Sequence, residues 1–413
     1  MIKFLLIPVL GLILLQGCAN DAKVPPVAEP AARETDKKAG TAAEASHIDP
    51  ELVYLLLSAE IAGQRGSFEK ALDGYLEAAD RTKDPNIAER ATQISLFLRD
   101  SGKAVRAVSL WIESAPGNVS ARKAAILVYL SRGDQDEALK HIRFWLAMKG
   151  SPFQQKMENL VKILDKGLAT RLEIMDQLAD TYGNDPDFLY AYAVLSFNKN
   201  ELHIALEKIE KALELKPDWD RAIALKGRII AVEGREGVAA ELQEMVEEYP
   251  DNAELGFIYG QFLIKAEDYE AARSQFQKVV ALVPENYEAM FGLAGLNLQL
   301  EDLDAAKQLF LKLKEVPEWA DQSYLFLGRI ERSQENYQDS LTWFDRVSSG
   351  PLASEAGLNA VLVLGKLGRY QEADTRIEDL HRRFPDQSVR IDLVRVELLT
   401  KRKEYHKALA VLN

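Results

Sequence analysis

Among residue types that do chemistry in proteins, this sequence offers five histidines, a single cysteine and 64 acidic side chains. His47, His141, His203, His381 and His406 are scattered, and no two stand at the i, i+4 spacing that lets imidazoles share a metal on one helix face. Cys18 has no second cysteine with which to form a disulfide or complete a zinc site. Glu247-Glu248 is a solvated helix face rather than an acid/base dyad. No G-x-S-x-G, G-x-x-x-x-G-K-[ST] or G-x-G-x-x-G pattern occurs, and Gly234-Arg235-Glu236-Gly237 is a turn between helices, not a phosphate cradle. The expectation is a chain without catalytic residues, cofactor or metal.

One chemistry does fit Cys18. Lys3 forms a short positive start, Phe4 to Leu15 is an apolar run too short to span a bilayer, and Leu15-Gln16-Gly17-Cys18 closes it. The segment has the form of an export signal over residues 1–17. Its last four residues resemble a bacterial lipobox, in which cleavage before the cysteine leaves a thiol that carries diacylglycerol; Gln16 departs mildly from the usual residue there. A lone thiol is a liability in an oxidising compartment unless it is acylated. Ala19 and Asn20 lack the aspartate that often retains such lipoproteins at the inner membrane. The resemblance therefore implies the outer membrane, periplasmic face, with the lipid on Cys18 as anchor. Residues 18–47 are rich in Ala, Pro, Glu, Lys and Thr and form a flexible lipidated tether.

The rest must position whatever surface the protein uses. Ala71, Ala107, Ala138, Ala205, Ala239, Ala272, Ala306, Ser340, Ala373 and Ala408 recur 31 to 36 residues apart, with one double step of 67. That period resembles the tetratricopeptide repeat (TPR), a helical hairpin in which small residues sit where two helices cross closely. The expected fold is all-α: a TPR solenoid of about eleven helical hairpins in a right-handed superhelix over residues 48–413. Tyr259-Gly260, Asp268-Tyr269, Ala272, Phe276 and Pro284 show the pattern best. Turns within hairpins are expected at Gly66-Ser67, Gly102-Lys103, Gly133-Asp134, Glu267-Asp268, Glu301-Asp302 and Gly368-Arg369. Residues 151–185 lack the pattern but have one repeat's length, which suggests a divergent repeat or a break between two sub-solenoids. The last repeat is incomplete, since the sequence stops within its second helix, as expected of a fragment of a longer protein.

In such a solenoid the first helix of each hairpin lines the concave face. Tyr190, Phe197, Phe257, Phe291, Arg329 and Arg332 fall on first helices and are the candidate partner-binding residues. The competing expectation for the aromatics is packing against neighbouring helices. With a net charge of −13 and no Lys/Arg-rich block, nucleic acid is not an expected partner.

Asp49-Pro50-Glu51-Leu52-Val53-Tyr54-Leu55-Leu56-Leu57-Ser58-Ala59-Glu60-Ile61-Ala62-Gly63-Gln64-Arg65, followed by Asp84-Pro85-Asn86-Ile87-Ala88-Glu89-Arg90-Ala91, resembles the start of a specific family. That family is the large TPR outer-membrane lipoproteins of proteobacteria typified by LbcA. The resemblance implies an adaptor that binds a periplasmic carboxyl-terminal processing serine protease and brings it substrates such as peptidoglycan hydrolases. The alternative is a TPR lipoprotein scaffold for a secretion, pilus or exopolysaccharide export system.

Overall fold

The computed structural model describes residues 49–165, 171–348 and 350–412. Cys18, the export signal and the tether lie outside the described residues. The described residues form 22 α-helices and one 3-10 turn, Pro385–Gln387. They fall into two compact units that divide after Ile229. The first holds α1 (Pro50–Gln64), α2 (Phe68–Thr82), α3 (Pro85–Leu98), α4 (Ser101–Ser114), α5 (Val119–Arg132), α6 (Gln135–Ala147), α7 (Phe153–Asp165), α8 (Arg171–Tyr182), α9 (Pro186–Asn198), α10 (Leu202–Leu215) and most of α11 (Asp220–Glu233). The second holds α12 (Val238–Glu248), α13 (Ala253–Lys265), α14 (Tyr269–Leu282), α15 (Tyr287–Gln299), α16 (Leu303–Leu313), α17 (Pro317–Ser333), α18 (Tyr337–Phe344), α19 (Gly350–Lys366), α20 (Tyr370–Arg383), α21 (Ser388–Lys401) and α22 (Tyr405–Leu412). Odd-numbered helices are the first of each hairpin.

Short polar residues start these helices. The side chains of Asp49, Asp84, Asn118, Asp185, Asn252 and Asn286 accept hydrogen bonds from amides in the first turn of a first helix. Asp100, Asp134, Asp268 and Asp302 do the same for second helices. Each cap satisfies donors that the helix itself leaves unpaired.

Left-handed residues make the turns. Gly66, Arg99, Gly133, Asn200, Gly234, Glu267, Glu301, Glu335, Gly368 and Lys403 all have positive φ. They recur every 33 to 35 residues, apart from one double step of 67. In most hairpins the next residue is the N-cap of the second helix, and its amide donates back to a carbonyl in the last turn of the first, as from Ser67 to Ala62 and from Asp302 to Asn297. This bond closes the helix end and reverses the chain in two residues.

The small residue follows four positions after that cap. Ala71, Ala138, Ala205, Ala272, Ala306, Ser340 and Ala373 are all 0 % exposed. Two expected members of the series need correction. In the second hairpin the turn is Arg99-Asp100, Gly102-Lys103 lies inside α4, and the register residue is Ala104 rather than Ala107. Both alanines are buried, one helical turn apart, so spacing could not separate them. Ala239 is exposed, because the turn there is lengthened to Gly234–Gly237 and Val238 takes the inward position.

Opposite these crossings, a small residue of the first helix receives a large one from the second. A β-carbon on Gly260 would stand 3.0 Å from the Phe276 ring, and one on Gly328 would stand 2.5 Å from the Phe344 ring. Ser340, replacing alanine, donates its hydroxyl to the carbonyl of Gly328 at 2.7 Å. The segment without the pattern is also helical, as α7 and α8, but α7 packs chiefly on α9. Lys156 of α7 is buried, and its ammonium donates to the carbonyls of Leu146 (2.8 Å) and Met148 (2.5 Å) at the end of α6. The charge thereby meets the negative end of that helix, which compensates its burial.

Candidate functional site

In the first unit, α7 packs on α9, and α11 reaches the same face through Arg221, which donates to Glu158 of α7 at 2.9 Å. Beneath this pair is a cavity of about 290 Å³. Its apolar walls are Met157, Val161, Tyr190, Ala191 and Val194, and Gln154, Lys162 and Asp187 complete it. Tyr190 lies against Trp219, ring centroids 4.9 Å apart, with the Arg221 guanidinium 5.2 Å from its ring. Asp187 stands in the first turn of α9, beside the capping carboxylate of Asp185. Burial, and then the Asp185 charge, push its pKa above the usual value.

In the second unit, α17 packs on α19 and α19 on α21. Arg329 and Arg332 are one turn apart on α17; Glu355 and Asn359 are one turn apart on α19. Arg329 makes an ion pair with Glu355, their side chains 9 % and 23 % exposed. Arg332 donates to the Asn359 side-chain oxygen at 2.5 Å, and Asn359 donates to the Glu355 carbonyl. Burial lowers the pKa of both arginines, and the Arg329 charge lowers that of Arg332 further. The Arg329 guanidinium also lies 5.1 Å from the Phe326 ring. This is a packed ladder of side chains, and a shallow cleft of about 510 Å³ between α19 and α21 reaches Glu355 at its edge.

The structure thus sorts the six candidates. Tyr190 lines a cavity, and Phe197 is half-buried beside α10 and α11 residues. Phe257 is half-buried edge-on to Phe276. Phe291 does not reach solvent: it is 2 % exposed and fills a slot between Phe310, Trp319 and Phe326. Arg329 is likewise withdrawn, and Arg332 is half-buried. Glu158, Arg221, Glu355 and Asn359 were not foreseen, since their partners are supplied by other repeats, and Asp187 was not foreseen because its place on a cavity wall depends on how α7 packs on α9. His141, for its part, stacks on Tyr129 and contacts Arg122, a packing role.

A larger cleft of about 620 Å³ lies between α18, α19 and α20, because α18 has only eight residues. Its floor includes Phe344, Val347 and Leu380. The rim charges are mutually committed, Arg376 to Asp345 at 2.5 Å and Arg383 to Asp379 at 3.5 Å. No charge there is left to select a partner, so the smaller cavity carries the stronger chemical signature.

Paired helices, left-handed turns and a small residue at most crossings define a helical-hairpin repeat protein. The family model for the tetratricopeptide repeat matches residues 260–323. TPR repeat-containing protein PA4667 of Pseudomonas aeruginosa is 34 % identical over 400 residues, which is 96 % of this chain and 68 % of that protein. The chain belongs to that family of TPR proteins, a repeat-scaffold family that is generally non-enzymatic and mediates protein–protein interaction. Among solved structures, P. aeruginosa PilF aligns at 20 % identity and a TM-score of 0.38, covering 49 % of this chain and 94 % of its own. Yeast Tom70 aligns at 15 % identity and a TM-score of 0.33, covering 87 % and 90 %. Neither likeness is strong enough to bear on function.

Proposed function

We propose that this protein is an outer-membrane-anchored periplasmic scaffold that binds a carboxyl-terminal processing serine protease and presents substrates such as peptidoglycan hydrolases to it. The carrying observation is that the stretch resembling the LbcA-type start, Asp49 to Arg65, forms α1 with its cap, and that this helix leaves an apolar stripe uncovered. Tyr54, Leu57 and Ile61 are 76 %, 58 % and 48 % exposed, and Ala59 is the one residue of α1 that is fully buried. Exposed apolar residues repeating along one helix face mark an interaction surface. Diacylglycerol on Cys18, with residues 18–47 as a tether, would hold that surface near the membrane and raise the effective concentration of the two partners.

The test is crosslinking and affinity recovery from the native envelope. The protease and a cell-wall hydrolase are expected in the recovered material. Recovery of a secretin or polysaccharide porin in their place overturns the adaptor reading in favour of an export scaffold. Leu57→Asp is expected to lower protease recovery severalfold with an unchanged thermal midpoint, since that side chain already faces water. Cys18→Ala is expected to release the protein from membranes.

A further inference from the structure

We infer that the cavity between α7, α9 and α11 is a socket for a lysine or arginine side chain of a bound protein segment, the aliphatic stem lying on Met157, Val161 and Val194 and the cation meeting Asp187. The size comes first. About 290 Å³ lies at the bottom of the range for small-molecule sites and suits one long side chain. The walls come second. Met157, Val161, Ala191 and Val194 make them apolar, the environment a basic side chain prefers for its methylene stem, and of the polar residues there Arg221 pairs with Glu158 and Lys162 acts on Glu158 rather than on Asp187.

Charge decides the occupant. Among the described residues the Asp187 carboxylate accepts no hydrogen bond and joins no ion pair. The cations around it are engaged elsewhere: Arg221 with Glu158 at 2.9 Å, and Lys216 over the Trp219 ring at 4.4 Å. Lys162 stands on the wall without pairing to Asp187. Two carboxylates, Asp185 and Asp187, share the first turn of α9, and the Asp185 oxygen is occupied by the amides of Asp187 and Phe188 at 2.9 and 3.1 Å. Lys216 and Arg221 act on Asp187 only from a distance, and a half-buried carboxylate with no direct hydrogen bond or ion pair is an arrangement that a guest cation relieves. A guest carboxylate at Asp187 would meet the like charges of Asp187 and Asp185; a purely apolar guest would leave Asp187 more buried and still without a hydrogen bond.

The inference holds whichever protein proves to be the partner, so its test uses short peptides and not the protease. The full chain is labelled at methionine methyls, Met157 reporting from the cavity wall. It is then titrated with capped Gly-Xaa-Gly tripeptides in which Xaa is arginine, lysine, norleucine or glutamate. Arginine and lysine peptides are expected to shift the Met157 methyl saturably, at least about fivefold more tightly than norleucine, the increment of one charge-assisted hydrogen bond. Asp187→Asn is expected to erase that preference and Asp187→Glu to retain it, with the methyl of Met175, buried in the core of the same unit, reporting that each variant is folded. Equal binding of norleucine or glutamate overturns the inference, and so does a Met157 resonance that no peptide moves. A preference that survives in Asp187→Asn overturns the assignment of the cation to Asp187.

Discussion

The ion pairs Arg329–Glu355 and Arg221–Glu158 each link first helices of different hairpins, and they do different things. Arg329–Glu355, in the second unit, lies between α17 and α19 with the guanidinium withdrawn from solvent, and only Glu355 reaches an open cleft. Arg221–Glu158, in the first unit, has side chains 47 % and 39 % exposed and sits over a cavity. The hairpin chemistry is the same in both places. The difference is burial: α17 and α19 have 17 residues each and hold the Arg329 side chain at 9 % exposure, whereas α7 belongs to the hairpin without the repeat pattern and its pair is far more open. A first-helix charge is therefore a partner-binding candidate only where its neighbours leave space beside it.

Removing one carboxylate from each pair separates a buried charge from an exposed one. Glu355→Gln leaves the Arg329 guanidinium, whose Nη1 already has no hydrogen-bond partner, buried without a counter-charge. Stranding a buried charge in this way costs about 3–5 kcal/mol. Hydrogen exchange should show the loss locally, as faster opening of α17 and α19. Glu158→Gln, in the exposed pair, should cost no more than about 1 kcal/mol. Equal effects at the two sites would show that the second-unit pair is not the enclosed one.

A carbon added to each region separates tight packing from free volume. At Gly328, beside Arg329, a new β-carbon would press on Phe344 at 2.5 Å, so Gly328→Ala should destabilise by about 1–3 kcal/mol through overpacking. Val194→Ile extends a wall residue of the first-unit cavity and should cost less than about 0.5 kcal/mol, since the added methyl enters space that already exists. Thermal midpoints of the two variants measure the contrast. A large loss at Val194 would mean that the cavity is not available to any guest.

How far the sequence foretold these regions follows from the range of each interaction. The hairpins were legible because close helix crossing demands a small residue at a fixed distance from the turn, a constraint contained within about 34 residues. It failed at Ala107, where two buried alanines lie one turn apart, and at Ala239, where a lengthened turn shifts the register. Tyr190 was legible as an aromatic on a first helix. Its neighbours were not, because Glu158 and Arg221 are 63 residues apart and 64 acidic residues offer no way to choose among them. Phe291 belongs to the same class of aromatic, yet Trp319 from the next first helix covers it, a fact of packing between repeats.

The smallest expected effect tests the claim that Asp187 lacks a partner. Burial and the Asp185 carboxylate raise its folded-state pKa, so the folded protein binds this proton more tightly than the unfolded chain does. The associated stability is fully present below the unfolded value of about 3.9 and is lost as pH rises through the folded value. At neutral pH the ionised carboxylate therefore works against folding. Asp187→Asn should stabilise the first unit there by less than about 1 kcal/mol, a modest gain because solvent screens a half-buried group. The gain should vanish near about pH 3, where the parent is itself protonated. If Asp187→Asn is instead destabilising at neutral pH, the carboxylate is already satisfied within the chain.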